Sequence, residues 1–95
     1  MEDKDKDEVA SIVRGLIERD LDEPMRVIAR RHNLTLEEVL AKRRAPGLVQ
    51  FAAARGEMYR YVRERFGWSY PFIGKVFGRD HSNVMVTLRR QVRGQ

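Results

Sequence analysis

The chain has 95 residues, no cysteine and a formal net charge of +5, which allows one domain with a modest core and excludes disulfides and thiolate metal sites. No apolar run approaches the roughly 18 to 20 residues of a membrane span, and the acidic start does not read as a signal peptide, so a cytoplasmic protein is expected. The charge is uneven: residues 1–23 hold nine acids against four bases, while the remainder holds 15 of the 19 bases and five of the 14 acids, a balance that suits a polyanion such as nucleic acid and equally a merely solvated surface.

In chain order, residues 1–8 (MEDKDKDE) read as an acidic, frayed or disordered tail ahead of a single domain over 9–95. From Glu8, the residues Val9, Ile12, Val13, Leu16 and Ile17 recur at helical spacing and predict an amphipathic helix to about Asp20. Its acidic outer side suits contact with a protein partner, while its apolar side would equally complete the core. Pro24 suits the first turn of a short second helix with Met25, Ile28 and Ala29 inward, broken at Asn33 and Leu34. Thr35 followed by Glu38 is a capping box, so a third helix should run through Leu36, Val39 and Leu40. A basic loop, Ala41 to Gly47, leads into a long fourth helix over about Leu48 to Phe66, with Phe51, Met58, Val62 and Phe66 on its apolar positions and Gly67 as its stop. Ser69 caps a fifth helix with Pro71 in its first turn, Gly78 and Arg79 break it, and Asp80 or Ser82 caps a sixth through Val84, Met85, Leu88 and Val92. The expected fold is all-α, a bundle of five to six helices.

The last two helices, residues 69–93, form the pattern of a helix-turn-helix: two short helices joined by a few residues that include glycine. The second opens with Asp80, His81, Ser82 and Asn83, short side chains suited to base edges, at the end that meets the major groove in such motifs. Asp accepts from a cytosine amino group, Asn pairs with adenine, and Ser is permissive. Around this tip Lys75, Arg79, Arg89, Arg90 and Arg93 are suited to phosphates. Plainer roles compete: Asp80 as a helix cap, His81 as a core histidine, and Phe72, Phe77, Val84 and Leu88 as core only.

The stretch Ile73-Gly74-Lys75-Val76-Phe77-Gly78-Arg79-Asp80-His81-Ser82-Asn83-Val84 resembles the signature of the C-terminal DNA-binding domain (domain IV) of the bacterial replication initiator DnaA, approximately I-G-x-x-F-G-G-R-D-H-[ST]-T-V. Upstream, Leu40-Ala41-Lys42-Arg43-Arg44 is similar to that domain's basic loop, Ala54-Arg55-Gly56-Glu57-Met58-Tyr59 to its A-R-x-x-A-M-Y stretch, and Ser69-Tyr70-Pro71 to its S-L-P. The likeness runs from near Val27 to Leu88. It implies a Trp repressor-like helical fold in which Asp80, His81 and Ser82 read bases in the major groove and Arg55 enters the adjacent minor groove. Lys42, Arg43 and Arg44 would bind phosphates, helped by Tyr70 and Pro71. Three departures stand out: one glycine where the family has two, Asn83 where a threonine is usual, and a longer stretch between Arg44 and Arg55.

No G-x-x-x-x-G-K-[ST] loop is present, so no nucleotide or other cofactor is expected. Neither a nucleophile set nor a carboxylate cluster suggests an enzyme. The expected function is sequence-specific binding of double-stranded DNA by a nucleoid-associated transcriptional regulator working with a protein partner, RNA polymerase or a co-regulator. The alternatives are a regulator of replication initiation on origin-type sites, and an architectural module without sequence preference.

Overall fold

Helical periodicity and its punctuation carry most of the architecture. The computed structural model describes residues 2–41 and 48–93, and these form six α-helices and no strand: α1 (Glu2–Glu18), α2 (Asp22–Arg31), α3 (Leu36–Leu40), α4 (Leu48–Phe66), α5 (Tyr70–Phe77) and α6 (His81–Arg93). The all-helical expectation and its count agree with this. Among the described residues, no helix is long and apolar enough to cross a membrane.

The first helix starts at Glu2 rather than at Glu8. Its opening turns lack apolar residues and so carry no periodic signal, but acids at a helix start are favoured by the macrodipole. It stops at Glu18, before the expected Asp20, because Asp20 takes a left-handed conformation with φ 59°.

Three helix ends close alike. A left-handed residue (Asp20, Asn33 or Gly78) is followed by an amide that bonds a carbonyl five residues back: Leu21 to Leu16 at 2.8 Å, Leu34 to Ala29 at 3.0 Å and Arg79 to Gly74 at 2.8 Å. This arrangement satisfies carbonyls that the helix end would leave unpaired. Side-chain caps then stand where the sequence predicts on α3 and α5, while α2 starts at Leu21 without one. The Thr35 hydroxyl accepts from the Glu38 amide at 3.1 Å while the Glu38 carboxylate accepts from the Thr35 amide at 2.8 Å. Ser69 Oγ accepts from the Phe72 amide at 3.3 Å, and Gly67 ends α4 with φ 70°.

Every helix contributes to one core. Val9 and Leu16 from α1 are buried with Met25 and Ile28 from α2, Leu36, Val39 and Leu40 from α3, Met58, Tyr59 and Val62 from α4, Ile73 and Phe77 from α5, and Val84 from α6. α1 therefore completes the core, as one of its two expected roles required. Two expected inward residues lie elsewhere. Ile17 is 51% exposed, because it sits about 100° round the helix from Leu16. Phe66 is 49% exposed at the last turn of α4, where it stacks on Trp68 at 5.8 Å. Phe72 and Leu88 are partly buried against the core.

The first helix runs antiparallel to α5. Arg19 lies over the Phe72 ring at 5.6 Å, near the start of α5, while Ile12 reaches the other end, where a Cβ on Gly78 would come within 2.7 Å of Ile12 Cδ1. With its φ of 71°, Gly78 takes a left-handed conformation that a side chain would strain, and Ile12 packs into the space it leaves.

Candidate nucleic-acid interface

The turn between α5 and α6 folds directly back onto α5. A Cβ on Gly74 would sit 2.3 Å from the Arg79 carbonyl oxygen, so only glycine fits there. Past Gly78, the Asp80 carboxylate accepts from the Asn83 amide at 3.0 Å and caps α6. Capping by Asp80, one of the two candidates, leaves Ser82 inside the helix and exposed.

Of the residues expected to read bases, His81 and Ser82 are exposed at the first turn of α6 and Asp80 is exposed just ahead of it. The exposure of His81 removes the core-histidine alternative. Asn83 is half-buried, and its Oδ1 accepts from the Tyr59 hydroxyl at 3.4 Å. Lys75 on α5 and Arg89 and Arg90 on α6 are exposed and make no ion pair with a described residue. Pro71 is exposed, and Tyr70 is half-buried with the Arg63 guanidinium 4.3 Å from its ring centre.

Arg79 and Arg55 sit differently from their expected places. Arg79 turns its guanidinium onto the end of α3, donating to the Ala41 carbonyl at 3.0 Å and the Leu40 carbonyl at 3.4 Å. A cation at a helix C-terminus meets both the unpaired carbonyls and the negative end of the dipole. Arg55 lies well inside α4. Its Nη1 donates to the Val39 carbonyl at 3.3 Å, and its buried Nε has no partner. Burial lowers the Arg55 pKa, and Arg79 lowers it further, against an opposing effect of Tyr59. The neighbouring Glu57 carboxylate is held by Arg31 and by His32 Nε2, the latter at 2.8 Å. The Lys42, Arg43 and Arg44 assignments lie outside the described residues, as does the Arg93 side chain, but Arg79 fixes Ala41, the residue from which that basic stretch departs.

Sequence reasoning missed the layer under α6. Tyr59 is fully buried, with its ring edge-on to Phe77 at 5.2 Å, and both Arg55 and Arg79 act on its hydroxyl electrostatically. Only its place in the A-R-x-x-A-M-Y likeness marked it, because its partner is 24 positions away. The arrangement as a whole can hold a polyanion on exposed cations and offer short polar side chains to what lies between them. The chain matches no protein-family model, no curated protein and no solved structure.

Proposed function

We propose that the chain binds double-stranded DNA sequence-specifically through a helix-turn-helix formed by α5 and α6, in the manner of the DnaA C-terminal domain, and serves as a transcriptional regulator at the nucleoid. The observation that carries this reading is the tip of α6. His81 and Ser82 stand exposed beyond a joint so tight that it requires Gly74, and Lys75 on α5 and Arg89 and Arg90 further along α6 are exposed cations with no carboxylate among the described residues paired to them. Such a tip suits the major groove, where the first residues of a recognition helix contact bases and the flanking cations grip phosphates. Lys42, Arg43 and Arg44 add to that grip. Arg55 holds α4 against α3 rather than entering a minor groove, since its guanidinium is turned to the Val39 carbonyl. A protein partner, RNA polymerase or a co-regulator, would dock on the outward acidic side of α1.

The test is fluorescence anisotropy on genomic and random duplexes across salt concentration. If roughly six phosphates are neutralised, the log–log slope of affinity against salt is about −5. His81→Ala lowers affinity for the preferred site by roughly 1 to 3 kcal/mol and affinity for random duplex much less. Equal losses on both duplexes would leave only nonspecific binding, and salt-independent binding would remove DNA altogether.

A further inference from the structure

We propose that Tyr59, a core residue, determines which base Asn83 reads: its hydroxyl holds the Asn83 carbonyl inward, so the side chain offers the groove a hydrogen-bond donor and selects a base edge that accepts. The inference rests on the DNA-binding reading of α6 and adds its specificity.

Tyr59 cannot swing away. Its side chain is fully buried on α4, and its ring is locked edge-on against Phe77. Its hydroxyl proton must be placed on an acceptor, since a buried donor left unpaired loses its bond to water without replacement. The surroundings decide which way the proton points. Arg55 and Arg79 both act on the hydroxyl, and two guanidiniums draw the lone pairs of that oxygen toward themselves and turn its proton away. Among the described residues its acceptor is Asn83 Oδ1 at 3.4 Å. Burial pushes the Tyr59 pKa up, so the proton is present throughout the neutral range.

The backbone of Asn83 is fixed as well, because its amide donates to the Asp80 cap. In a planar carboxamide the oxygen and nitrogen point to different sides, so an oxygen committed inward presents Nδ2 to the half-exposed face. The bidentate pairing of Asn with adenine needs oxygen and nitrogen together at the base edge. A side chain that brings only the donor matches guanine best, whose N7 and O6 both accept. Thymine O4 comes second, and the cytosine amino group is rejected. The sequence alone suggested adenine for an asparagine at this place. The core beneath it changes that expectation.

The experiment is selection of duplexes from a randomised pool by the full chain, its Tyr59→Phe variant and its Asn83→Asp variant, with folding checked by circular dichroism. Wild type enriches guanine, or secondarily thymine, at one position. Tyr59→Phe removes the hydroxyl, frees the amide to turn, and shifts that single position to adenine while the rest of the motif stays. Asn83→Asp keeps an acceptor for Tyr59, loses the donor, and shifts the position to cytosine. Where guanine is selected, 7-deazaguanine at that position weakens wild-type binding about fivefold or more. If Tyr59→Phe does not fold, Asn83→Asp and the deaza substitution decide. Adenine preference in wild type, or one unchanged motif for all three proteins, overturns the inference and leaves the DNA reading intact. A pool from which wild type enriches no motif removes both.

Discussion

The joint between α2 and α3 and the joint between α5 and α6 are built on the same backbone plan and filled differently. Asn33 and Gly78 take the left-handed position, the carbonyls of Ala29 and Gly74 receive the amides of Leu34 and Arg79, and Thr35 and Asp80 cap the helices that follow. Two helices and a turn are therefore common to both, and the turn alone says nothing about function. Side chains separate them. At the first joint the charges cancel across the gap, where Arg26 of α2 reaches Glu37 of α3 at 3.1 Å and 3.2 Å. At the second, the residue after the glycine is an arginine whose guanidinium bonds main-chain carbonyls at the end of α3, and the exposed Lys75, Arg89 and Arg90 pair with no carboxylate among the described residues. One joint is neutralised and roomy enough for a methyl at Ala29; the other is positive and closed around Gly74.

Substitutions at matched places sharpen the contrast. Gly74→Ala forces a Cβ against the Arg79 carbonyl and costs about 3 kcal/mol in thermal or urea unfolding, toward the upper end of overpacking penalties. The reverse change at the matched position, Ala29→Gly, costs about 1 kcal/mol, the ordinary helix penalty of glycine. Equal losses at the two positions would mean that the joints are equally open.

Arg79→Met removes charge-assisted bonds to Ala41 and Leu40 and lowers stability by about 1.5 kcal/mol, with water replacing part of the loss at this half-buried place. It also unfastens the root of the basic stretch, so affinity for random duplex falls together with stability. An unchanged melting temperature would show the guanidinium to be free of α3 in solution.

The caps are matched more evenly. Asp80→Ala and Thr35→Ala each cost about 1 kcal/mol, whereas Asp80→Asn keeps a capping oxygen and costs little. The smallest effect belongs to the ion pair of the first joint. The bond from Arg26 holds the Glu37 carboxyl below its usual pKa. A lowered folded value means that the contribution is complete above the unfolded pKa and disappears as pH falls through the folded one. Both side chains are substantially exposed, so Glu37→Gln changes stability by less than about 0.5 kcal/mol at neutral pH and by nothing in acid. A urea titration at the two pH values reads the difference directly.

Much of the fold was legible because its signals are local. The spacing of Met25, Ile28 and Ala29, the Thr35–Glu38 box, the stop at Gly67 and the cap at Ser69 each lie within a few residues of what they determine, and each is where the sequence placed it. Features settled by distant residues were not legible. The opening turns of α1 hold no apolar stripe to read. Glu57 finds Arg31 and His32 across 26 and 25 positions. Nor does anything adjacent to Arg55 say that its guanidinium turns inward to Val39. In the candidate site, the exposed tip of His81 and Ser82 could be read from residue type and position, whereas the Tyr59 support beneath Asn83 could not.

The contact between Ile12 and Gly78 bears on how this molecule can be divided. The side chain that covers the α5–α6 turn comes from the first helix, so α4 to α6 do not form a transplantable cassette. Cutting before Leu48 would uncover Gly78 and remove the α3 carbonyls that Arg79 grips, stripping the turn of one side of its packing and of its polar partners at once. Amides around Gly78 are therefore expected to exchange with solvent at a rate governed by opening of the first helix as well as their own, and Ile12→Ala should speed that exchange.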